Sequence, residues 1–140
     1  MTRKRLSAME PIPPHIGVIL VDHGSRFAEA NALLEEVARM YQDIAGAAIV
    51  EPAHMELAEP TIAQAFAKCV AQGAREIVVH VYFLSPGRHS MEDIPRITRE
   101  AAVRFPGVPY RLTQPLGLDA RMALIIHRRV LESLQRQEES

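Results

Sequence analysis

The sequence predicts an α/β fold: a four-stranded parallel sheet with helices on both faces, three layers in a flavodoxin-like order. Three observations predict it. Four apolar runs of strand length alternate with four stretches whose apolar residues recur every three or four positions, as expected of strands joined by crossover helices. The runs Ile16-Gly17-Val18-Ile19-Leu20-Val21 and Ile77 to Leu84 are almost continuously apolar, the signature of strands covered on both sides. Finally, Val21-Asp22-His23-Gly24-Ser25-Arg26 and Ser85 to Pro95 each follow an apolar run and open what reads as a helix. Parallel strands need right-handed crossovers, and the flavodoxin-like order sets strands one and three side by side where the winding direction reverses.

Residues 1–14 carry basic side chains and three prolines without periodic apolar positions. They predict a mobile arm without chemistry, ahead of a single domain over 15–137. The first strand starts after His15. Ala30, Leu34, Val37, Tyr41 and Ile44 then mark a helix that Gly46 stops. The second unit runs from Ala47 to Glu56, turns at Pro60, which fits a first helical turn, and continues through Ile62, Phe66, Cys69 and Val70 to Gly73. The third strand, Ile77 to Leu84, is the richest in β-branched and aromatic residues and is expected to lie centrally. Its helix is expected to start near Asp93 as N-cap, with Pro95 in the first turn, and to end before Pro106-Gly107. Val108 to Thr113 forms the last strand, and Asp119 caps a helix carrying Met122, Ile126 and Val130. No internal repeat is visible.

Composition narrows the function. Of 140 residues, 48% are hydrophobic and 24% charged, an ordinary globular balance with enough chain for one core. A formal net charge of -1 provides no global field for nucleic acid or an anionic membrane, so an acidic ligand must be met by local groups. No apolar run approaches the roughly 20 residues of a membrane span, and the first residues lack the apolar stretch of a signal peptide, so a cytoplasmic protein is expected. Cys69 is the single cysteine, which excludes an intrachain disulfide, a cysteine-based zinc site and a self-contained iron-sulfur site. It shares a helical stripe with Ile62, Phe66 and Val70 and is expected to be buried. The phosphate loop, the dinucleotide glycine fingerprint and the nucleophile elbow are all absent, which disfavours nucleotide-driven and hydride chemistry.

The candidate site follows from the topology. His23 and His89 leave strands one and three at matching places, so adjacent strands bring both to the crevice at the carboxyl edge of the sheet. Imidazoles there can bind a divalent metal or take up protons. Gly24 allows a tight turn and the Ser25 hydroxyl can cap the following helix. Glu56 and Glu59 bracket the loop after strand two; either can serve as ligand, proton acceptor or helix cap, and Glu56 is preferred because Pro60 follows Glu59. His54 shares strand parity with Glu56, and is read either as a site neighbour or as a satisfied inner histidine. His80 and His127 read as structural. Arg26 and Arg88 can meet carboxylates or phosphates with their planar donor forks, or else pair with Glu29, Glu92 or Asp93.

The stretches Val21-Asp22-His23-Gly24-Ser25-Arg26, Met55-Glu56-Leu57-Ala58-Glu59-Pro60, Phe83-Leu84-Ser85-Pro86-Gly87-Arg88-His89 with Asp93-Ile94-Pro95, and Pro115-Leu116-Gly117 closely resemble the small sirohydrochlorin chelatases of the CbiX and SirB type, which are class II tetrapyrrole chelatases. The resemblance runs from Ile16 to Leu134 in order. Glu51 to Pro60 looks most like the ferrochelatase branch of siroheme synthesis. The resemblance implies the chelatase-like version of the flavodoxin fold and ATP-independent insertion of Fe2+ or Co2+ into sirohydrochlorin, in siroheme or cobalamin synthesis, with no cofactor beyond that metal. It implies His23 and His89 as metal-binding and catalytic histidines, Glu56 as the site glutamate, and a homodimer of one-lobed chains enclosing the tetrapyrrole. Because the chain has no positive net charge, Arg26, Arg88 and the turns and helix starts at Ser25 and Gly87 are expected to bind the substrate's carboxylates. Two departures stand out. Leu118 and Asp119 follow Gly117 where many relatives carry a histidine, and the chain ends without the cysteine-rich tail of some ferrochelatase relatives.

Overall fold

A computed structural model describes residues 10–139 except Pro86; the side chains of Arg88, His89, Ser90 and residues 137–139 also lie outside the described set, as does most of the N-terminal arm. Four strands, β1 (Ile16–Asp22), β2 (Ile49–His54), β3 (Glu76–Val81) and β4 (Tyr110–Leu112), alternate with helices α1 (Ala28–Ala45), α2 (Ile62–Ala71), α3 (Arg88–Ala102) and α4 (Ala120–Glu139). The sheet order is β2-β1-β3-β4 and every pairing is parallel. β1 and β3 are therefore neighbours at the switch point, with Ile16 opposite Glu76 and Val21 opposite Val81. Among the described residues, no helix is long and apolar enough to cross a membrane.

Strand parity divides the core into two. Ile19 and Val21 of β1 join Ile62, Phe66 and Cys69 of α2, Ile77 and Val79 of β3 and Ile94 of α3. Val18 and Leu20, pointing the other way, join Leu34 and Ala38 of α1 and Val50 of β2. Each fully buried large side chain, such as Phe66 or Ile19, contributes about 1.5–3 kcal/mol relative to leaving it in water. Cys69 is buried as expected, and burial, with the Glu51 charge adding to it, pushes its thiol pKa up to about 12.

Several boundaries differ from the sequence expectation. α2 is capped by Thr61, whose hydroxyl accepts from the Gln64 N–H while the Gln64 side chain accepts from the Thr61 N–H. This reciprocal box puts Pro60, joined by a cis peptide, just outside the helix rather than in its first turn. α3 begins at Arg88 with Gly87 as N-cap, six residues before the expected cap at Asp93, and carries Pro95 internally. An internal proline removes one helical hydrogen bond and costs about 3 kcal/mol. Burial of Ile94, Thr98 and Ala101 offsets this, and the Thr98 hydroxyl donates to the Ile94 carbonyl at 2.7 Å next to the proline. β3 stops at Val81, three residues before the end of its apolar run, where the chain turns into a loop of the carboxyl edge, whereas β2 and β4 are shorter than expected at both ends.

α1 covers one face of the sheet and α2 with α3 the other. Among the described residues, no helix covers the position beside α1, over β3. Along β3 the residues facing α2 and α3 are buried, whereas Val78 and His80 on the opposite side are only half-buried. There a cavity of about 370 Å3 is lined mainly by Ile16, Val18, Leu20, Val37, Tyr41 and Val78. α4 does not fill it; of its apolar side chains only Met122 is half-buried and the others are exposed.

Candidate active site

The chain leaves β1 at Asp22 and enters a crevice of about 400 Å3 at the carboxyl edge, lined by Asp22, His23, Gly24, Ser25, Asn31 and Tyr82 to Ser85. The crevice lies at the β1–β3 switch point, the place such sheets offer a ligand. The exposed His23 ring stacks flat on Phe83, with centroids 4.3 Å apart and planes 3° from parallel. Phe83 is buried, so the aromatic face orients the imidazole while its edge stays in reach of solvent.

The loop after β2 is clamped against this turn. The Met55 N–H donates to the Asp22 carbonyl at 2.8 Å and the Glu56 N–H to the His23 carbonyl at 3.1 Å. Gly24 makes the approach possible, since it has φ +91° and a Cβ there would lie 1.8 Å from the Glu56 carbonyl oxygen. Glu56 thus sits beside His23 through its backbone, with an exposed side chain outside the crevice lining. Glu59 faces elsewhere. It accepts from Gln64 at 3.2 Å and borders a separate hollow with Glu51, His54 and Lys68.

Ser25 does not cap α1, whose N-cap is Phe27 without a side-chain bond. Instead its hydroxyl accepts from the Phe27 N–H at 3.0 Å, while Asn31 bridges the Ser25 backbone in both directions at 2.9 and 2.7 Å. The early turn reverses before the helix begins, and a residue one turn inside the helix secures it. Arg26 is exposed and has no ion pair among the described residues; Asp93, one of its expected partners, binds Arg96 at 3.2 Å. Gly87 lies at the start of α3 with open space around it. The side chains of Arg88 and His89 lie outside the described residues, so of the two histidines only His23 is located in the crevice; His89 is placed on the first turn of α3, following the neighbouring strand.

Sequence reasoning gave Asp22 no role. Its carboxylate lines the crevice and takes a 2.6 Å hydrogen bond from Nδ1 of His54, which is 2% exposed. His54 is therefore an inner histidine that holds a crevice carboxylate, and the parallel register that places it opposite Asp22 was the signal available. His80 is structural as expected: the Thr113 hydroxyl donates to the Gln114 carbonyl and accepts from His80 Nδ1 at 2.7 Å. Burial lowers the His80 pKa.

Fold and crevice together define a doubly wound α/β domain presenting an oriented imidazole and a buttressed carboxylate at its switch point, a class suited to handling a metal ion or another polar ligand. The CbiX family model matches residues 17–133, and the chain belongs to that family. It is 48% identical over 122 residues to the chloroplastic sirohydrochlorin ferrochelatase of Arabidopsis thaliana, covering 87% of this chain and 54% of the plant protein. With the sirohydrochlorin cobaltochelatase of Methanopyrus kandleri it shares 30% identity, over 85% of this chain and 97% of that one. The crystal structure of the sirohydrochlorin chelatase SirB from Bacillus subtilis in complex with cobalt matches with a TM-score of 0.77 and 30% identity, over 84% of this chain and 50% of SirB. The chain thus spans about half the length of two of these relatives and nearly all of the third.

Proposed function

We propose that this chain inserts a divalent metal, Fe2+ or Co2+, into sirohydrochlorin without ATP, in siroheme or cobalamin synthesis. The observation that carries the reading is the identity to the plant sirohydrochlorin ferrochelatase, which extends over most of the chain. Residues 15–137 form the catalytic domain, and the metal being inserted is a substrate; no further cofactor enters the reaction.

Metallation must strip water from the ion, bring it to the ring face and replace two pyrrole N–H protons, so two protons leave for every metal bound. Neutral imidazole suits borderline ions such as Fe2+ and Co2+ and is also a base near neutral pH. His23, steadied on Phe83, binds the ion and takes a proton; His89, from the first turn of α3, is its partner in both tasks. Glu56, fastened beside His23 by its backbone, is the nearby carboxylate that passes protons to solvent. Sirohydrochlorin is a polycarboxylate, and Arg26, Arg88, the Ser25 hydroxyl and the Gly87 backbone at the start of α3 are its binding groups. Two copies of the chain enclose the macrocycle as a homodimer, in the cytoplasm, where a lone thiol such as Cys69 stays reduced. Nucleic acid and membrane are not partners.

Anaerobic incubation of the purified protein with Fe2+ and sirohydrochlorin, followed through the absorbance of the macrocycle, tests the proposal. Accelerated conversion is expected; a rate equal to the protein-free control overturns it in favour of a binding protein without turnover. Metallation that persists in both His23→Ala and His89→Ala overturns the assignment of roles.

A further inference from the structure

We propose that the Asp22 carboxylate receives the incoming hydrated divalent ion and delivers it to His23, with His54 as the positioning residue that aims the carboxylate. The proposal rests on the metallation reading above and names the group that meets the metal first. Among the described residues lining the crevice, Asp22 carries the one formal charge. That charge is negative, so it attracts a divalent cation and repels the carboxylates of the macrocycle. The two substrates are thereby directed to different sides of the crevice, the ion toward Asp22 and the acid groups away from it.

The pair is built to hold that charge in place. His54 is buried, whereas the Asp22 side chain is 24% exposed. Nδ1 of His54 donates to Oδ1 at 2.6 Å. Oδ2 has no partner among the described residues, and no buried side-chain oxygen among them lacks one, so Oδ2 opens to the crevice. The strand ends do not depend on this bond: His54 lies opposite Asp22 in the β1–β2 register, and the Met55 N–H donates to the Asp22 carbonyl at 2.8 Å. What the side-chain bond adds is direction. A carboxylate held this way loses little freedom when an ion arrives, and metal-binding carboxylates are commonly fixed by such a second hydrogen bond.

The order of contact follows from ligand chemistry. The waters of a hydrated ion donate charge-assisted hydrogen bonds to a carboxylate, whereas an imidazole nitrogen binds a metal through its lone pair and needs a water displaced first. The sheet then sets the direction. Asp22 is tied to His54 of β2, His23 stacks on Phe83 just beyond β3, and His89 is on the first turn of α3. With the strand order β2-β1-β3, the ion enters at the β2 side and loses water as it crosses the sheet edge toward the two histidines.

Calorimetric titration of the purified chain with Co2+, without tetrapyrrole, reads the first contact. Asp22→Asn keeps the size of the side chain and an oxygen for His54 while removing the charge, and should weaken Co2+ binding about 10–100-fold. His54→Ala, which leaves the charge but not its aim, should weaken it about tenfold. Phe66→Leu, a destabilising change in the core away from the crevice, should leave it unaltered. In metallation, Asp22→Asn should raise KM for the metal by a similar factor and leave KM for sirohydrochlorin no higher than the parent's, a split that general loss of structure would not produce. Any of three results overturns the proposal: a parent chain that does not bind Co2+ alone, an Asp22→Asn chain that binds it as the parent does, or one that raises both KM values together. Should Asp22→Asn lose its native dichroism, His54→Ala decides, and a Co2+ affinity equal to the parent's overturns the proposal. The same samples separate the two readings. Co2+ binding that depends on Asp22, in a chain that does not metallate sirohydrochlorin, keeps the receiving carboxylate and ends the reaction; full metallation with binding indifferent to Asp22 does the reverse.

Discussion

Gly24 illustrates how one missing side chain decides the crevice. Its φ of +91° is in the left-handed region, and a methyl group would press on the Glu56 carbonyl at 1.8 Å, so Gly24→Ala has to push the β2 loop off the β1 turn. The expected cost is about 1–3 kcal/mol of stability, read as a lower denaturant midpoint, together with lost metallation because His23 and Glu56 no longer share a backbone bond. His54 offers a contrasting case. His54→Ala leaves a gap in the interior and an Asp22 oxygen without its donor, with an expected destabilisation of about 1–3 kcal/mol, and His54→Asn should recover part of it if the bond rather than the volume dominates. His80 sets a pH dependence. Burial holds its folded pKa below the ordinary value of 6.5, so the folded state resists taking the proton. Its contribution to stability is complete above about pH 6.5 and is lost as pH falls through that value toward the folded pKa. Urea midpoints between pH 7 and pH 5 should decline in the parent, and less so in His80→Gln.

At the scale of elements, the parts visible in the sequence were those fixed by burial on a regular period. The six apolar residues from Ile16 to Val21 have no solvent-facing side, so a strand covered on both faces follows; Ala30, Leu34, Val37 and Tyr41 give α1 its length, and Gly46 ends it with φ +65°. The start of α3 was not visible, because a proline usually marks a first turn. Here the tertiary contacts of Ile94 and Thr98 with the core outweigh that local preference. The Thr61–Gln64 box was present as a T-x-x-Q spacing but was masked by the neighbouring Pro60. In the site, His23 was readable because strand ends and turns leave local marks. The Asp22–His54 bond, the Phe83 stack and the Asn31 bridge were not, since each joins residues remote in sequence or set by rotamer. Thr61→Ala removes one half of the box and should cost about 1 kcal/mol, seen as a lower thermal midpoint with unchanged metallation. A loss of activity beyond the loss of folded protein would mean that α2 positions the Glu56 loop more directly than its backbone bonds indicate.

For the molecule as a whole, a formal net charge of -1 means that a polyanionic substrate gains nothing from the overall field and must be drawn by charges close to the crevice. Arg26 is suited to this, being exposed at the crevice turn with no ion pair among the described residues. By contrast Arg96, Arg111, Arg121 and Arg129 are engaged by carboxylates. A single exposed charge contact is worth about 0.2–1 kcal/mol, and its reach is limited to a Debye length of about 10 Å at 0.1 M salt. Arg26→Gln should therefore raise KM for sirohydrochlorin about two- to fivefold, leave kcat unchanged, and flatten the rise of KM with ionic strength between 20 and 200 mM salt (about 20 and 7 Å of screening length). The same change should leave affinity for the metal ion alone unaltered, because a guanidinium cation has no lone pair to offer a metal ion. A KM insensitive to both salt and Arg26 would shift the recognition of the substrate from charge to the apolar lining of the crevice, where Leu84 is exposed.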